Sequence, residues 1–168
     1  DKTGTLTEGK PKVVAVVAAD GIERGELLRL AASVERASEH PLAFAILNAA
    51  KDEGLALSDV QDFDSPVGKG AVGMVDARRI VIGNAVIMQQ ANIDTAALEK
   101  DAREQRERGA TAIYVAVDGR ASGVIAIADP VKPSAPEALK QLRANGLRIV
   151  MLTGDNVTTA QAVAKTLG

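Results

Sequence analysis

Apolar residues along the chain recur either in short alternating runs, which are typical of strands, or at a helical spacing of three and four. Leu27, Leu28, Ala31 and Val34 illustrate the helical spacing. Helices are predicted over roughly residues 27–37, 41–53, 95–108, 133–146 and 157–167. Strands are predicted at residues 13–17, 60–63, 71–75, 79–82, 111–117, 122–128 and 147–152.

The order of these elements indicates two kinds of architecture in one chain. Asp118-Gly119 lies between two strand-like runs and predicts a hairpin, so the middle of the chain is expected to be an α+β domain with an antiparallel sheet. The last helix, strand and helix suit a parallel, Rossmann-like layer. We therefore expect an incomplete α/β domain, residues 1–8 and 125–168, interrupted by an inserted domain at residues 9–124 with hinge-like linkers.

The composition argues against several classes of binding site and partner. The 168 residues include no cysteine and a single histidine, which excludes disulfides, thiolate metal sites and multi-histidine sites. The net charge of −2 gives no reason to expect nucleic acid as a partner. Each apolar run is well short of the roughly 18 residues that a membrane-spanning helix needs, so a soluble piece of protein is expected.

Two segments carry the chemistry of phosphoryl transfer to a carboxylate. The first reads DKTGTLT at residues 1–7, and the second reads MLTGD at residues 151–155. A carboxylate attacks phosphorus only when cations and N–H groups offset the phosphoryl charge. Lys2 supplies a cation, Gly4 permits close backbone approach, and Asp155 is a candidate partner of Mg²⁺ or phosphate. Hydroxyl groups come from Thr3, Thr5 and Thr153.

A second constellation lies in the middle of the chain. Glu35 precedes the sequence SEHPL at residues 38–42, the sequence GKGAVG follows at residues 68–73, and Gly83-Asn84 comes later. Each signal is weak alone. A lone histidine is more often structural, a Gly-x-Gly outside a strand–turn–helix unit is no dinucleotide fingerprint, and Asn84 could simply cap a helix.

Together, these motifs resemble the P-type ATPases, ion pumps that pass through an aspartyl-phosphate, and in particular their heavy-metal branch. The resemblance implies that Asp1 is phosphorylated, with Lys2, Thr3, Thr153, Gly154 and Asp155 in the catalytic site. It implies ATP and Mg²⁺ as cofactors, with Asp1 and Thr3 on the metal.

The same resemblance assigns the middle constellation to ATP. Glu35 would accept a hydrogen bond from the adenine amino group, and His40 would stack on or hydrogen-bond the base. Asn84 would contact adenine or ribose. The backbone at Gly68, Gly70 and Gly73 would approach the nucleotide closely, with Lys69 near the phosphates. An adenine bound there reaches Asp1 only if the hinge closes.

Thr3 gives the first motif a chemical meaning. Related aspartyl-phosphate hydrolases carry a second aspartate two positions after the nucleophile, where it acts as general acid and base. A threonine hydroxyl cannot do this near neutral pH. We expect slow release of the phosphoryl group, which suits a pump.

The resemblance also implies a larger protein at the cytoplasmic face of a membrane. Membrane helices, an actuator domain and a downstream GDGxND segment would belong to the same polypeptide, and the transported ion would bind outside this chain. Glu39 and the sequence ADPVK at residues 128–132 look more like the copper or silver branch than the zinc branch. Asp129 and Lys132 either lie near the phosphorylation site or form an ordinary turn.

Two alternative functions remain open from the sequence. One is a soluble aspartyl-phosphate phosphatase with a cap domain, which Thr3 argues against. The other is a non-catalytic nucleotide-binding module, because half of the catalytic domain is expected to be absent.

Overall fold

The computed structural model describes residues 1–155 and 157–168. Its helices are α1 (Arg24–Glu35), α2 (Pro41–Asp52), α3 (Ala85–Gln90), α4 (Glu99–Glu107), α5 (Ala135–Ala144) and α6 (Val157–Thr166). Its strands are β1 (Lys12–Ala18), β2 (Val60–Asp64), β3 (Gly70–Val75), β4 (Arg78–Gly83), β5 (Thr111–Val117) and β6 (Arg120–Ala128). The predicted helices and the predicted strands up to residue 128 are confirmed to within a few residues.

The strands form one sheet of six in the order β1-β6-β5-β4-β3-β2, and every pairing among the described strands is antiparallel. Two tight turns connect neighbouring strands. Asp118 and Gly119 have φ values of 50° and 80°, and Asp76 and Ala77 have 50° and 61°. Positive φ at both central residues gives the turn a twist that matches the strands it joins. The predicted hairpin at Asp118-Gly119 is confirmed.

Helices cover both faces of this sheet. Side chains along β4 point alternately to the two faces. Ile80 and Ile82 belong to the core beneath α1 and α2, together with Leu27. Val81 belongs to a second core beneath α3 and α4, together with the fully buried Tyr114. Since side chains alternate across a strand, one six-residue strand supplies both cores. The antiparallel α+β part of the predicted fold class is confirmed.

The two ends of the chain meet beside the sheet. Lys2–Leu6 form a wide turn in which the Thr7 amide donates to the Lys2 carbonyl at 3.1 Å. Thr7 also pairs with Val131 in an isolated antiparallel bridge. Helices α5 and α6 share a small apolar cluster made of Ala135, Leu139, Val163 and Leu167.

Helix α6 also contacts α4 and the turn that follows it. Thr159 Oγ1 donates to the Ala110 carbonyl at 3.1 Å. A Cβ added at Gly109 would lie 3.4 Å from Val163 Cγ2, so α6 approaches this turn closely. This contact joins the terminal helices to the layer beneath the sheet.

The predicted strand at residues 147–152 is wrong. Leu147, Val150 and Leu152 lie outside any strand and are 54%, 63% and 69% exposed. A strand is stable only when neighbours bond its backbone and cover its apolar side chains. The turn at Lys2–Leu6 is not extended, and it meets this segment through a hydrogen bond from the Lys2 amide to the Leu152 carbonyl at 3.1 Å. Among the described residues, no parallel layer forms.

Candidate functional site

The two phosphoryl-transfer motifs meet in the structure. Lys2 is 6% exposed, and its ammonium group forms an ion pair with the Asp155 carboxylate. Thr153 Oγ1 donates to Asp155 Oδ2 at 2.8 Å and accepts from the Asp155 amide at 3.1 Å. A lysine from the first segment therefore shares one small polar site with a hydroxyl and a carboxylate from the second segment.

Asp1 and Thr3 flank Lys2 in the chain, and Gly154 lies between Thr153 and Asp155. Asp1 and Thr3 are exposed, and a Cβ at Gly154 would meet no atom within 4 Å. A carboxylate that is to attack a phosphoryl group has to be accessible, and Asp1 satisfies that requirement. Of the six residues predicted for catalysis, Lys2, Thr153 and Asp155 are in contact, and Asp1, Thr3 and Gly154 are their neighbours in the chain.

The donor set near Asp1 fits a magnesium ion that is shared with a phosphate. The described residues form no cluster of three or more His, Cys, Asp and Glu side chains. However, Mg²⁺ is usually held by one or two carboxylates together with phosphate oxygens and water. Asp1 offers such a carboxylate, and Thr3 offers an oxygen two positions on.

Asp129 and Lys132 form hydrogen bonds with the N-terminal segment that precedes β1. The Asp129 carboxylate accepts hydrogen bonds from Thr7 Oγ1, from the Gly9 amide at 3.2 Å and from the Lys10 amide at 3.0 Å. Lys132 Nζ donates to the carbonyl of Gly4 at 2.7 Å. Lys132 therefore touches the turn that follows Asp1, whereas both oxygens of Asp129 bind the linker leading into β1.

A cavity of about 510 Å³ brings the middle constellation together. Glu35 and His40 line it from the ends of α1 and α2, and the start of β5 contributes to its wall. Gly68 lines it from the loop before β3, Gly70 from the first position of β3, and Asn84 from the position that caps α3. Five of the six residues predicted to bind the nucleotide therefore surround one cavity.

Glu35 is the unusual group in this cavity. The residue is only 7% exposed, and its Oε2 atom has no hydrogen-bond partner among the described residues. Burial raises the pKa of this carboxyl, and a hydrogen bond with the Ser38 side chain partly offsets that rise. A buried carboxyl oxygen without a partner is costly, so a hydrogen-bond donor that reached this atom would stabilise it.

His40 caps α2 with one ring nitrogen and leaves the other available. Its Nδ1 accepts a hydrogen bond from the Leu42 amide at 3.2 Å, which assigns the ring proton to Nε2 in the neutral form. The residue is exposed and lines the cavity. The ring can therefore stack on a base or donate through Nε2 while its orientation is fixed by the cap.

The glycines of the motif have different surroundings. Gly68 has φ of +70°, and Gly70 has φ of +144° with the Ile82 carbonyl oxygen 2.0 Å from where its Cβ would lie. Gly73 lies outside the cavity, on β3, where a Cβ would come within 2.4 Å of Val60 Cγ2. Gly73 permits close packing inside the fold, and no lining role in the cavity is seen for it.

Asn84 connects the glycines to α3. Its Oδ1 accepts from the amides of Val86 and Ile87 at 3.0 and 3.2 Å, so it caps the helix. Its Nδ2 donates to the Gly68 carbonyl at 3.0 Å. The helix itself is too short for a periodic apolar stripe, so the sequence pattern indicates only its cap.

A larger hollow of about 650 Å³ lies at the opposite end of the sheet. Arg78, Asp118 and Arg120 are among its lining residues, and Arg78 Nε lies 3.6 Å from Asp118 Oδ2. Its charged groups are at the surface and none belongs to the motifs predicted for phosphoryl transfer or nucleotide binding. The smaller cavity, with the buried Glu35, is the better candidate for ligand binding.

The chain belongs to the haloacid dehalogenase-like hydrolase family, which it matches over residues 1–168. Within that class it is 50% identical to a copper-exporting P-type ATPase of Legionella pneumophila and 49% identical to a silver exporting P-type ATPase of Salmonella typhimurium. Both similarities extend over 100% of this chain and over 23% and 20% of the relatives. The chain thus spans between a fifth and a quarter of their length.

A solved structure has the same arrangement. The crystal structure of a zinc-transporting PIB-type ATPase in the E2.Pi state is 38% identical, with a TM-score of 0.79. The similarity covers 99% of this chain and 27% of the other. The predicted resemblance to heavy-metal P-type ATPases is confirmed. Across residues 1–155 and 157–168, no helix combines the length and apolar character needed to cross a membrane.

Proposed function

We propose that this chain is the ATP-binding and phosphorylation portion of a heavy-metal cation pump, with copper or silver as the transported ion. One cavity is lined by Glu35, His40, Gly68 and Gly70, and one oxygen of the Glu35 carboxyl is buried without a partner among the described residues; these observations carry the proposal. The Lys2–Asp155 pair beside Asp1 supports the phosphorylation half. The transported ion, the membrane helices and an actuator domain would lie elsewhere in the same polypeptide, and this portion would lie at the cytoplasmic face of the membrane.

In the proposed binding mode, the cavity takes the adenine end of ATP. Glu35 Oε2 accepts from the exocyclic amino group, which provides the partner that this atom lacks among the described residues. His40 stacks on the base or donates through Nε2. The backbone of Gly68 and Gly70 lies close to the nucleotide because no side chain intervenes, and Gly73 supports the same segment from within the fold.

In the proposed reaction, Asp1 attacks the γ-phosphorus of ATP. A carboxylate oxygen of Asp1 forms a bond to phosphorus, the bond from phosphorus to the β–γ bridging oxygen breaks, and ADP leaves with that electron pair. Lys2, Thr153 and the Gly154 backbone stabilise the charge on the phosphoryl oxygens, and Asp155 holds Lys2 in place. Mg²⁺, when bound by Asp1 and Thr3, would supply further charge compensation.

We further propose that residues 9–124 move as the nucleotide-binding domain relative to residues 1–8 and 125–168. The cavity and the Lys2–Asp155 site belong to different parts of the molecule, so transfer requires them to approach. The linkers held by Asp129 are the natural place for that rotation. Strand β6 crosses the proposed boundary and would transmit the motion.

The experiment that tests the binding half is an ATP titration followed by amide NMR. We expect shifts that cluster at residues 35–40, 68–73 and 84, and weaker binding in His40→Ala. Asp94→Ala is the matched control. Like His40, Asp94 accepts a hydrogen bond from a backbone amide two positions on, that of Ala96 at 2.9 Å, but it lines the hollow of about 650 Å³ instead of the proposed ATP cavity. Shifts elsewhere, or binding that is indifferent to His40, would contradict the proposal.

The phosphorylation half has its own test. Labelled ATP followed by an acid quench measures acyl-phosphate on Asp1, and hydrolysis of an acyl-phosphate substrate measures phosphatase turnover. Turnover that disappears in Asp1→Asn would favour the alternative of a soluble phosphatase. We expect little turnover, since Thr3 cannot act as the general acid and base.

A further inference from the structure

We propose that Asn84 is a positioning residue: it holds the glycine loop, residues 66–70, in its binding conformation and does not itself contact the nucleotide. This inference rests on the proposed ATP-binding function. It differs from the role that the sequence resemblance implies, in which Asn84 contacts adenine or ribose.

The hydrogen-bonding capacity of Asn84 is largely used within the protein. An asparagine side chain has two acceptor sites on Oδ1 and two donors on Nδ2. Both acceptor sites bind backbone amides, those of Val86 and Ile87. One Nδ2 donor binds the Gly68 carbonyl, and the Asn84 backbone amide donates to the Lys69 carbonyl at 2.9 Å.

These partners also fix which side-chain atom is the oxygen. Oδ1 faces two N–H donors, and Nδ2 faces a carbonyl oxygen. Reversing the amide would set donor against donor and acceptor against acceptor. The assignment of one end as a helix cap and the other as a loop tether is therefore unambiguous.

The tether holds the middle of the glycine loop at the Gly68 carbonyl, whereas the Ser65 hydroxyl binds the carbonyl of Gly70 at the end of the loop. Val67, at its tip, is 97% exposed, and Gly68 has φ of +70°. Lys69 Nζ donates to Gln90 Oε1 at 3.2 Å, so the loop is attached to both ends of α3, through Asn84 at the start and Gln90 at the end. Removing the first attachment leaves the carbonyl of Gly68 without its protein donor.

A loop that is already in its bound shape binds more tightly because less conformational freedom is lost on binding. Asn84 can thus strengthen nucleotide binding without touching the ligand. The cap and the tether can be separated experimentally, since they use different atoms. Asn84→Asp and Asn84→Ser both retain an oxygen that caps α3, and both lose the donor to Gly68.

The test combines two measurements on the unchanged protein, Asn84→Asp, Asn84→Ser and the control Asp94→Ala. Amide hydrogen exchange without nucleotide follows the Lys69 amide, which donates to the Pro66 carbonyl at 3.1 Å. Calorimetric titration gives the Kd for ATP. We expect exchange at Lys69 to become about tenfold faster in both Asn84 variants and ATP to bind about 5- to 10-fold more weakly. Asp94→Ala should change neither quantity.

The neutral Asn84→Ser variant separates loss of the tether from repulsion between a new carboxylate and the phosphates. Weaker ATP binding with unchanged exchange at Lys69 would mean direct contact and would overturn the inference. Faster exchange with unchanged ATP affinity would also overturn it, because the loop conformation would then not matter for binding. If the unchanged protein binds no ATP, the proposed function itself fails, and this result is distinct from the other two.

Discussion

Gly70 and Gly83 are register partners on β3 and β4, and each leaves room for the backbone of the other strand. A Cβ on Gly70 would lie 2.0 Å from the Ile82 carbonyl oxygen, and a Cβ on Gly83 would lie 2.1 Å from the Lys69 carbonyl oxygen. Both distances are far below van der Waals contact, and in both cases the obstructing atom is backbone. The close approach of the two strands beside the cavity therefore requires glycine at both positions.

Gly70→Ala and Gly83→Ala should each lower the free energy of unfolding by more than about 2 kcal/mol, because backbone has to move and the φ values disfavour alanine. Urea denaturation measures the loss. Gly25→Ala is the control, since it lies in α1 with its nearest neighbour 3.9 Å from the new Cβ. It should be neutral or stabilise by up to about 1 kcal/mol. Equal stability of all three variants would contradict this account.

Glu35 should make stability fall as pH rises. Burial raises the pKa of its carboxyl in the folded state above the unfolded value of about 4.3, so the folded state binds the proton more tightly. The resulting stabilisation is complete below pH 4.3 and is lost as pH rises through the folded pKa. In Glu35→Gln this loss should disappear, so the variant gains stability relative to the unchanged protein as pH rises from the unfolded pKa through the folded pKa of Glu35.

Glu26→Gln is a control of opposite sign for that measurement. A hydrogen bond from Arg29 lowers the pKa of the Glu26 carboxyl, so its contribution is present above the unfolded pKa and is lost as pH falls. Urea titrations at several pH values measure both variants. The interpretation of Glu35 is wrong if the stability difference between Glu35→Gln and the parent does not vary with pH.

The Lys2–Asp155 ion pair should show a large coupling energy. Both side chains are mostly buried, so removing one leaves the other charge without a partner. A double-mutant cycle with Lys2→Met and Asp155→Asn should give about 1–3 kcal/mol. The exposed pair Arg108–Glu104, tested in the same way, should give less than about 0.5 kcal/mol. Coupling of Lys2 and Asp155 no larger than this surface pair would show that the chain ends do not meet as described.

Asp129→Ala should loosen the linker before β1. The Asp129 carboxylate accepts from the amides of Gly9 and Lys10, and hydrogen bonds to charged groups contribute about 1.5–3 kcal/mol. Hydrogen exchange at these two amides should therefore rise by about tenfold or more. Asp129→Asn, which keeps an acceptor oxygen, should give a smaller rise. Unchanged exchange in Asp129→Ala would remove Asp129 from the linker.

Sequence patterns identified the parts of the fold that are determined locally. The hairpin at Asp118-Gly119 follows from a turn that only certain residues adopt, and α2 follows from Pro41 and the apolar spacing after it. The apolar run at residues 147–152 led to a wrong strand prediction. An apolar run indicates burial, but a strand also needs neighbouring strands, and no strand among the described residues pairs with this run.

The same limit applies to the candidate site. The motifs predicted most of the residues that share the cavity. They did not predict the need for glycine at position 83, which comes from the nearby Lys69 carbonyl, or the bond from Asn84 to the Gly68 carbonyl. Gly73 matches the motif by spacing, yet the structure places it against Val60. Spacing alone cannot tell whether a glycine makes room for a ligand or for another part of the protein.

The antiparallel pairing of β1 with β6 brings the two ends of the middle segment of this molecule together. Lys12 and Ala128 are register partners, so the chain enters and leaves the sheet side by side. A host protein could accommodate such an insert wherever two adjoining residues tolerate separation, because closing a loop whose ends already touch costs little entropy. The segment between these residues is therefore a natural unit for excision, transplantation or circular permutation.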